Sequence, residues 1–99
     1  MIVRIVKMEF KPQSLDEFLS LFSAVEERIK SYPGCRHLEL LSDTTKSNVL
    51  FTYSIWDSEV DLNQYRKSEM FMKTWGKTRK LFASKAEASS LQKLNGHKK

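Results

Sequence analysis

The chain has 99 residues, of which 40% are hydrophobic and 29% are charged, and its formal net charge at pH 7 is +5. This length accommodates one domain, the composition excludes a disordered chain, and no apolar run approaches the roughly 20 residues that a bilayer-spanning helix needs. The first residues lack the pattern of a secretory signal peptide, and the single Cys35 cannot form an internal disulfide, so we expect a soluble, cytoplasmic protein.

The first half of the chain predicts a strand followed by a helix. Residues 2–10 begin with β-branched side chains and continue in alternation, which is typical of a strand. Ser14 and Glu17 have the spacing of a capping box at a helix start. An apolar stripe follows at intervals of three and four residues, formed by Leu15, Phe18, Phe22, Val25 and Ile29. Pro33 and Gly34 then predict the end of the helix and a turn.

A hairpin is predicted next, with strands at 35–42 and 49–56 and a polar loop at 43–48. In the second of these strands, Phe51, Tyr53 and Ile55 point to one side and Leu50, Thr52, Ser54 and Trp56 to the other. Neither set is plainly polar, whereas an antiparallel sheet with one wet face alternates clearly. We therefore expect both faces to be covered, one by helices and the other by the sheet of a second copy.

The last third of the chain predicts helix and one short strand. Ser58 and Asp61 indicate a helix start, and helical pattern runs to about Phe82 with a break near Ser68. One face of this region is apolar, with Phe71, Trp75, Thr78 and Phe82. Residues 84–92 predict a last strand, which closes a domain of residues 1–92, and residues 93–99 form a polar tail. The order β-α-β-β-α-β predicts a ferredoxin-like α+β fold, an antiparallel sheet with helices on one face.

The charge is unevenly distributed, because residues 1–62 have a net charge of −3 and residues 63–99 a net charge of +8. Such a basic region attracts nucleic acid or an anionic ligand in some proteins. Here Arg66, Lys73, Lys77 and Lys80 gather opposite the apolar face of the predicted helix. We interpret the basicity as the water-facing side of an amphipathic helix.

One run of the second half resembles a known family. It consists of Trp56, Leu62, Tyr65, Ser68, Phe71, Trp75, residues 80–82 and residues 85–89. Together with the strand end at residues 10–12 and the later Pro-Gly turn, it is similar to the antibiotic biosynthesis monooxygenase family over residues 1–92. The resemblance implies a homodimer whose two sheets face each other as an α+β barrel, with a cavity between the sheet and the helices of each protomer. Members of the family include cofactor-free oxygenases of quinol-like or anthrone-like substrates, and others that degrade haem.

The haem-degrading branch matches this chain poorly. It resembles the chain at Trp56, but it has an Asn where this chain has Val6 and an axial His where this chain has residues 75–77. Haem iron needs an axial donor, and Tyr65 or Met70 would provide one only by a departure from the family. We therefore expect no haem.

RNA-recognition modules share this order of elements and bind RNA with aromatic side chains on an exposed sheet. Phe51 and Tyr53 resemble half of their third-strand motif, but residues 47–50 lack its basic residue and its glycines. We expect a small aromatic ligand as a partner, and neither nucleic acid nor membrane. No dinucleotide, phosphate-loop or zinc motif is present, so the sequence predicts no cofactor and no metal.

Cofactor-free oxygenation requires a dry apolar pocket, a base and a donor for the developing oxyanion. The candidate catalytic residues are Trp56 through its indole N–H, Tyr65 through its hydroxyl, and His37 as a general base. Each also has a structural interpretation: a core aromatic with a satisfied N–H, a packing residue, and an exposed strand residue.

The candidate substrate-binding residues are Arg4, Phe71 and Trp75. Phe71 and Trp75 lie one helical turn apart and form either a pocket wall or ordinary core. Arg4 lies on an apolar strand face, so it either binds a substrate carboxylate or phenolate or forms a salt bridge, for which Glu39 is a candidate. If the protein is an enzyme, these features favour a cofactor-independent monooxygenase of small aromatic, quinol-like or polyketide-like substrates. The alternative is a non-catalytic ligand-binding or regulatory dimer.

Overall fold

The computed structural model describes residues 1–94, and its elements follow the predicted order. They are β1 (Ile2–Glu9), a 3-10 turn (Pro12–Ser14), α1 (Leu15–Lys30), β2 (Cys35–Ser42), β3 (Val49–Trp56), α2 (Glu59–Arg66), α3 (Glu69–Arg79) and β4 (Glu87–Leu91). The four strands form one antiparallel sheet in the order β2-β3-β1-β4. All helices lie on one face of this sheet, so the predicted ferredoxin-like α+β fold is confirmed.

The strand register sorts the side chains of the sheet onto two faces. Arg4 pairs with Ser54 of β3, and the next residue, Ile5, pairs with Tyr53. Because successive side chains of a strand point to opposite sides, Arg4 and Ser54 face the helices and Ile5 and Tyr53 face away. We call the side turned away from the helices the open face. Its central side chains are half-buried in the single chain and belong to Ile5, Phe51, Tyr53 and Ile55.

The hydrophobic core lies between the sheet and the helices. Phe10 is fully buried at the end of β1 and stacks on Phe18 of α1, with 4.4 Å between the ring centres. The apolar stripe predicted for α1 packs here, because Phe18, Phe22, Val25 and Ile29 are all buried. This core also includes Met8 of β1, Leu38 of β2 and Leu50 of β3, and it holds α1 against the sheet, where α1 lies nearest to β2.

The start of α1 differs from the prediction. Ser14 has helical backbone angles, with φ −103° and ψ −1°, and its side chain makes no capping hydrogen bond. The 3-10 turn replaces the cap, because the backbone N–H of Ser14 donates to the Lys11 carbonyl at 2.8 Å and that of Leu15 donates to the Pro12 carbonyl. The predicted capping box of Ser14 and Glu17 is therefore wrong.

The predicted break at Ser68 is confirmed, and it divides the second helical region into α2 and α3. The Ser58 hydroxyl accepts from the backbone N–H of Asp61 at 3.2 Å, and the Ser68 hydroxyl accepts from that of Phe71 at 3.1 Å. Each serine caps a helix by satisfying an amide that has no partner within the helix.

The last helix and the last strand are both shorter than predicted. The helix ends at Arg79 because Phe82 leaves it to form a β-bridge with Phe10. The last strand begins at Glu87, not at residue 84. The residues between are held by a hydrogen bond from the Ala83 N–H to the Glu9 carbonyl at 2.8 Å.

The turn predicted at Pro33 and Gly34 is confirmed. Gly34 has φ +88°, in the left-handed region that favours glycine. An ideal Cβ at this position would lie 2.5 Å from the Cβ of Asp61, so the start of α2 closes directly over the turn. The glycine therefore places the start of β2 against the start of α2.

No helix within residues 1–94 is long and apolar enough to cross a bilayer. The predicted polar tail, residues 93–99, lies largely outside the described residues. Its first two members, Lys93 and Leu94, are exposed and belong to neither helix nor strand.

Candidate functional site

A cavity of about 350 Å³ lies between the sheet and the helices. All four strands contribute to one wall, with most residues from β1 and β3, and all three helices contribute to the other. Most of its side chains are apolar, among them Val6, Met8, Phe22, Val25 and Leu38. The volume lies near the lower end of the ~300–1,000 Å³ that is usual for small-molecule pockets, so the cavity suits a small, mainly apolar ligand.

Four of the predicted site residues form one continuous aromatic wall of this cavity. Trp56 stacks on Tyr65 with 4.9 Å between ring centres and 25° between the planes. Tyr65 meets Phe71 edge to face at 5.0 Å, and Phe71 lies nearly parallel to Trp75 at 5.9 Å. All four line the cavity. β3, α2 and α3 thus bring together residues that are spread over twenty positions of the sequence.

Trp56 contributes its ring to the cavity, but its indole N–H is already engaged. The side chain is only 1% exposed, and Nε1 donates to the Ser54 hydroxyl oxygen at 3.0 Å. The N–H that we expected to reach a substrate oxygen is therefore satisfied within β3. Ser54 also lines the cavity, and its hydroxyl keeps a hydrogen of its own to donate. No sequence signal singled out Ser54, because a buried serine on a strand has no distinctive pattern.

Tyr65 places its phenol in a largely apolar environment between α2 and α3. Burial raises the pKa of this phenol above its ordinary value of 10.0, with smaller contributions from Cys35 and Tyr32. The hydroxyl therefore stays protonated at neutral pH. Its chemistry at this site is that of a hydrogen-bond donor, not of a base.

His37 lies apart from the other candidates. It is exposed on the open face, where Nε2 is 3.2 Å from Glu39 Oε1 and the ring meets Tyr53 edge to face at 5.9 Å. It is not among the residues that line the cavity. A register shift between Cys35 and His37 sets which side of β2 the imidazole occupies. The sheet therefore separates His37 from the aromatic wall.

Arg4 lines the cavity and does not pair with Glu39. Its Nη1 donates to the Ser90 hydroxyl oxygen of β4 at 2.9 Å. Glu39 is opposite Tyr53 and so faces the open side, where it pairs with His37. The expected salt bridge is therefore wrong, because the two side chains lie on opposite faces of the sheet. Burial lowers the pKa of Arg4, and the nearby charge of Arg66 lowers it further.

Arg66 was assigned to the water-facing side of a helix, yet it lines the cavity. The assignment treated residues on both sides of Ser68 as one helix. In the structure α2 ends at Arg66 and α3 begins at Glu69 after the Ser68 cap, so a single helical projection does not apply to both parts. Arg66 is exposed and therefore marks the opening of the cavity, close to Arg4.

The cavity wall does not fit haem. Among the residues of the range 1–94 that line it there is no histidine or cysteine. Of the remaining axial donors, Met8 is packed in the core, and the ring of Tyr65 is packed against those of Trp56 and Phe71. Within residues 1–94, no three His, Cys, Asp or Glu side chains are grouped so that they could hold a metal ion.

An antiparallel sheet with helices on one face defines a ferredoxin-like α+β protein, and an aromatic-walled cavity lies between its two layers. The family model for antibiotic biosynthesis monooxygenases matches residues 1–75. The chain therefore belongs to the antibiotic biosynthesis monooxygenase family. A comparison with curated proteins found no match.

Solved structures share the whole fold at low sequence identity. An antibiotic biosynthesis monooxygenase has a TM-score of 0.89 and 17% identity, covering 95% of this chain and 99% of its own. A conserved protein from Methanosarcina mazei Go1 has a TM-score of 0.88 and 21% identity, covering 94% and 93%. A variant of SnoaB, described as a cofactor-independent oxygenase from Streptomyces nogalater, has a TM-score of 0.83 and 16% identity, covering 94% and 92%. At these identities the likeness concerns the fold.

Proposed function

We propose that this protein is a cofactor-independent monooxygenase of small, electron-rich aromatic compounds of the quinol or anthrone type. The observation that carries the proposal is the apolar cavity walled by Trp56, Tyr65, Phe71 and Trp75. Flat aromatic walls suit a flat aromatic ligand, and an apolar cavity limits the access of water to a reactive intermediate. Family membership and the shared fold of SnoaB, a cofactor-independent oxygenase, support the same proposal.

The proposed reaction needs only the substrate and dioxygen. An anthrone loses a proton, and its carbanion gives one electron to dioxygen. The resulting radical pair combines to form a C–O bond, and protonation gives a hydroperoxide. Loss of water then leaves a new carbonyl group, so one oxygen atom stays in the product and the other leaves in water. The substrate supplies all the electrons, and no external reductant is consumed.

The residues of the cavity have distinct roles in this scheme. Trp56, Phe71 and Trp75 hold the substrate rings by stacking, and the neutral phenol of Tyr65 donates a hydrogen bond to the substrate oxygen as negative charge develops on it. No carboxylate or imidazole lines the cavity within the described part of the chain. The substrate proton therefore passes to a water molecule at the opening of the cavity, and the scheme applies to phenols and anthrones that ionise without a protein base.

Oxygen uptake tests the proposal directly. Purified protein is mixed with hydroquinones and anthrones, and oxygen consumption is compared with the autoxidation rate. Tyr65→Phe keeps the ring and removes the donor, so we expect kcat to fall by roughly 10²-fold, as is usual for the loss of one oxyanion donor. Tyr53→Phe removes the same hydroxyl on the open face and should leave kcat unchanged.

If no substrate in the set is consumed faster than it autoxidises, the oxygenase proposal is wrong for that class. Ligand binding without turnover would then identify a non-catalytic binding protein. Equal losses in the two tyrosine variants would remove Tyr65 from the proposed chemistry.

We also infer that the protein is a homodimer built on the open face. Ile5, Phe51, Tyr53 and Ile55 form an apolar surface at the centre of the sheet, and the helices of the same chain all lie on the other side. A second copy with the same surface would cover it, and two facing sheets would give the α+β barrel that the sequence suggested.

A further inference from the structure

Two arginines line the cavity without an acidic partner. Arg4 enters from β1 and Arg66 from the end of α2, so the sheet and the helical layer each contribute one guanidinium. Neither forms an ion pair with an acidic side chain of residues 1–94. No aspartate or glutamate of this part of the chain lines the cavity either. The part of the cavity wall that residues 1–94 form therefore has two positive charges and no negative one.

Arg36 provides a comparison, because it is an arginine of the same fold that is paired with a carboxylate. Its Nε and Nη2 atoms donate to the two carboxylate oxygens of Asp57, at 2.6 and 2.9 Å. This is the bidentate geometry in which a guanidinium is most strongly bound by a carboxylate. Arg4, by contrast, makes one hydrogen bond with the described part of the chain, to the hydroxyl of Ser90. Four of its five N–H donors are left for another acceptor.

These two charges are unfavourably placed relative to each other and to the apolar cavity wall. Arg4 is half-buried, so part of its hydration is lost without a compensating charge. Arg66 is close enough for its charge to lower the pKa of Arg4, which means that the two guanidiniums repel each other. An anion between them would offset both effects. The apolar volume beside them would hold the uncharged part of the same molecule.

We propose that the ligand of this cavity is an aromatic acid, with its rings against the aromatic wall and its carboxylate between Arg4 and Arg66. The inference rests on the proposed function for the aromatic character of the substrate and adds its charge. It also gives the substrate an orientation, because the carboxylate is fixed at the opening, where Arg66 lies, and the rings extend inward toward Phe71 and Trp75.

A pair of matched probes separates charge from aromatic packing. 1-Naphthoate and 1-naphthamide have the same rings and nearly the same shape, but only the first is an anion at neutral pH. Isothermal titration calorimetry measures the Kd of each for the intact protein. We expect naphthoate to bind roughly tenfold or more tightly than naphthamide, as is usual for hydrogen bonds to a charged acceptor, and to lose this advantage as salt is added.

Three variants assign the effect to the two arginines. Arg4→Gln and Arg66→Gln should each weaken naphthoate binding by roughly tenfold and leave naphthamide binding unchanged. Arg28→Gln is the matched control, because it makes the same change of charge at an exposed position of α1 that does not line the cavity. It should change neither Kd. Arg66 is exposed, so its variant keeps the fold and decides the question even if Arg4→Gln folds poorly.

The outcomes distinguish this inference from the proposed function. Equal affinity for the two probes would overturn the anion site and leave an aromatic pocket that still supports the oxygenase. A preference for naphthoate that Arg28→Gln reduces as much as Arg66→Gln does would also overturn it, since the effect would then come from net charge. A preference that depends on Arg4 and Arg66, in a protein that consumes no oxygen with any substrate, would support the anion site and overturn the oxygenase.

Discussion

Gly76 lies in the interior of α3, where an ideal Cβ would have no atom within 4 Å. Glycine costs a helix interior roughly 0.5–1 kcal/mol relative to alanine, because it loses more backbone freedom on folding. We expect Gly76→Ala to increase the free energy of unfolding by about this amount. For a chain of this length, the melting temperature should rise by roughly 4 °C, as measured by circular dichroism.

Gly34→Ala is the counterpart of this change and should have the opposite sign. It would place a Cβ 2.5 Å from Asp61 in a residue with φ +88°. The left-handed conformation alone costs a non-glycine residue roughly 1–2 kcal/mol, and the contact with Asp61 adds to it. A melting temperature that is unchanged in both variants would contradict the described geometry of both positions.

At the scale of single residues, the sequence predicted which aromatic side chains line the cavity better than it predicted their contacts. The aromatic character of Trp56, Tyr65, Phe71 and Trp75 was visible, because large apolar residues at strand and helix spacing are found in interiors. The hydrogen bond from Trp56 to Ser54 was not, since the predicted strand places both on one side but does not fix the orientation of either side chain. The side of β2 that His37 occupies depends on a local register shift, which no periodicity encodes.

At the scale of elements, the loop between β2 and β3 predicts a specific loss of stability in acid. Asp43 Oδ1 accepts from the backbone N–H groups of Thr45 and Lys46 and from the Thr45 hydroxyl, at 2.8–3.0 Å. These bonds, led by the Thr45 backbone N–H, lower the pKa of Asp43 below its ordinary value of 3.8. The unfolded chain therefore takes up this proton more readily than the folded one. The contribution of Asp43 is complete above pH 3.8 and is lost as pH falls through the lower folded-state pKa.

Asp43→Asn removes this titration and keeps an oxygen acceptor. We expect the variant to lose less free energy of unfolding than the natural chain between about pH 5 and pH 2, as measured by urea denaturation. Glu87→Gln makes the same change of charge on β4 and should follow the natural chain. Asp57, whose pKa is lowered by its hydrogen bonds to Arg36, continues to contribute acid sensitivity in all three proteins.

The bounds of an element were predicted almost to the residue where its residue pattern is flanked by clear loop or capping residues. β3 was found at 49–56 because β-branched and aromatic residues are bounded by a polar loop and a capping serine. The start of α1 was misread because Pro12 sets up a backbone turn that replaces the side-chain cap. Arg66 was assigned to the wrong face because residues 63–82 were projected as one helix, whereas the predicted break at Ser68 separates Arg66 from α3. A predicted break therefore requires that the faces of the two helices be assigned separately.

At the scale of the whole molecule, the open face predicts association. Ile5→Glu places a charge at the centre of this face, and burial of an unpaired charge between two sheets is strongly unfavourable. We expect the natural chain to sediment as a dimer at micromolar concentration and the variant to sediment as a folded monomer, because the core lies on the other side of the sheet. Leu19→Glu is the control, since Leu19 is an exposed apolar residue of α1, and it should leave the dimer intact. A natural chain that sediments as a monomer would exclude the barrel.

Strand β3 contributes alternate side chains to the cavity and to the open face, which connects the two surfaces. Thr52, Ser54 and Trp56 form part of the cavity wall, and Tyr53 and Ile55 between them belong to the open face. A ligand in the cavity and a second copy on the open face would therefore contact opposite sides of the same strand. If ligand binding stabilises the position of this strand, it favours dimer formation. Because binding free energies are reciprocally linked, dimer formation then favours ligand binding by the same amount. The dissociation constant measured for a ligand would then depend on how much protein is in the cuvette, and dilution alone would weaken binding.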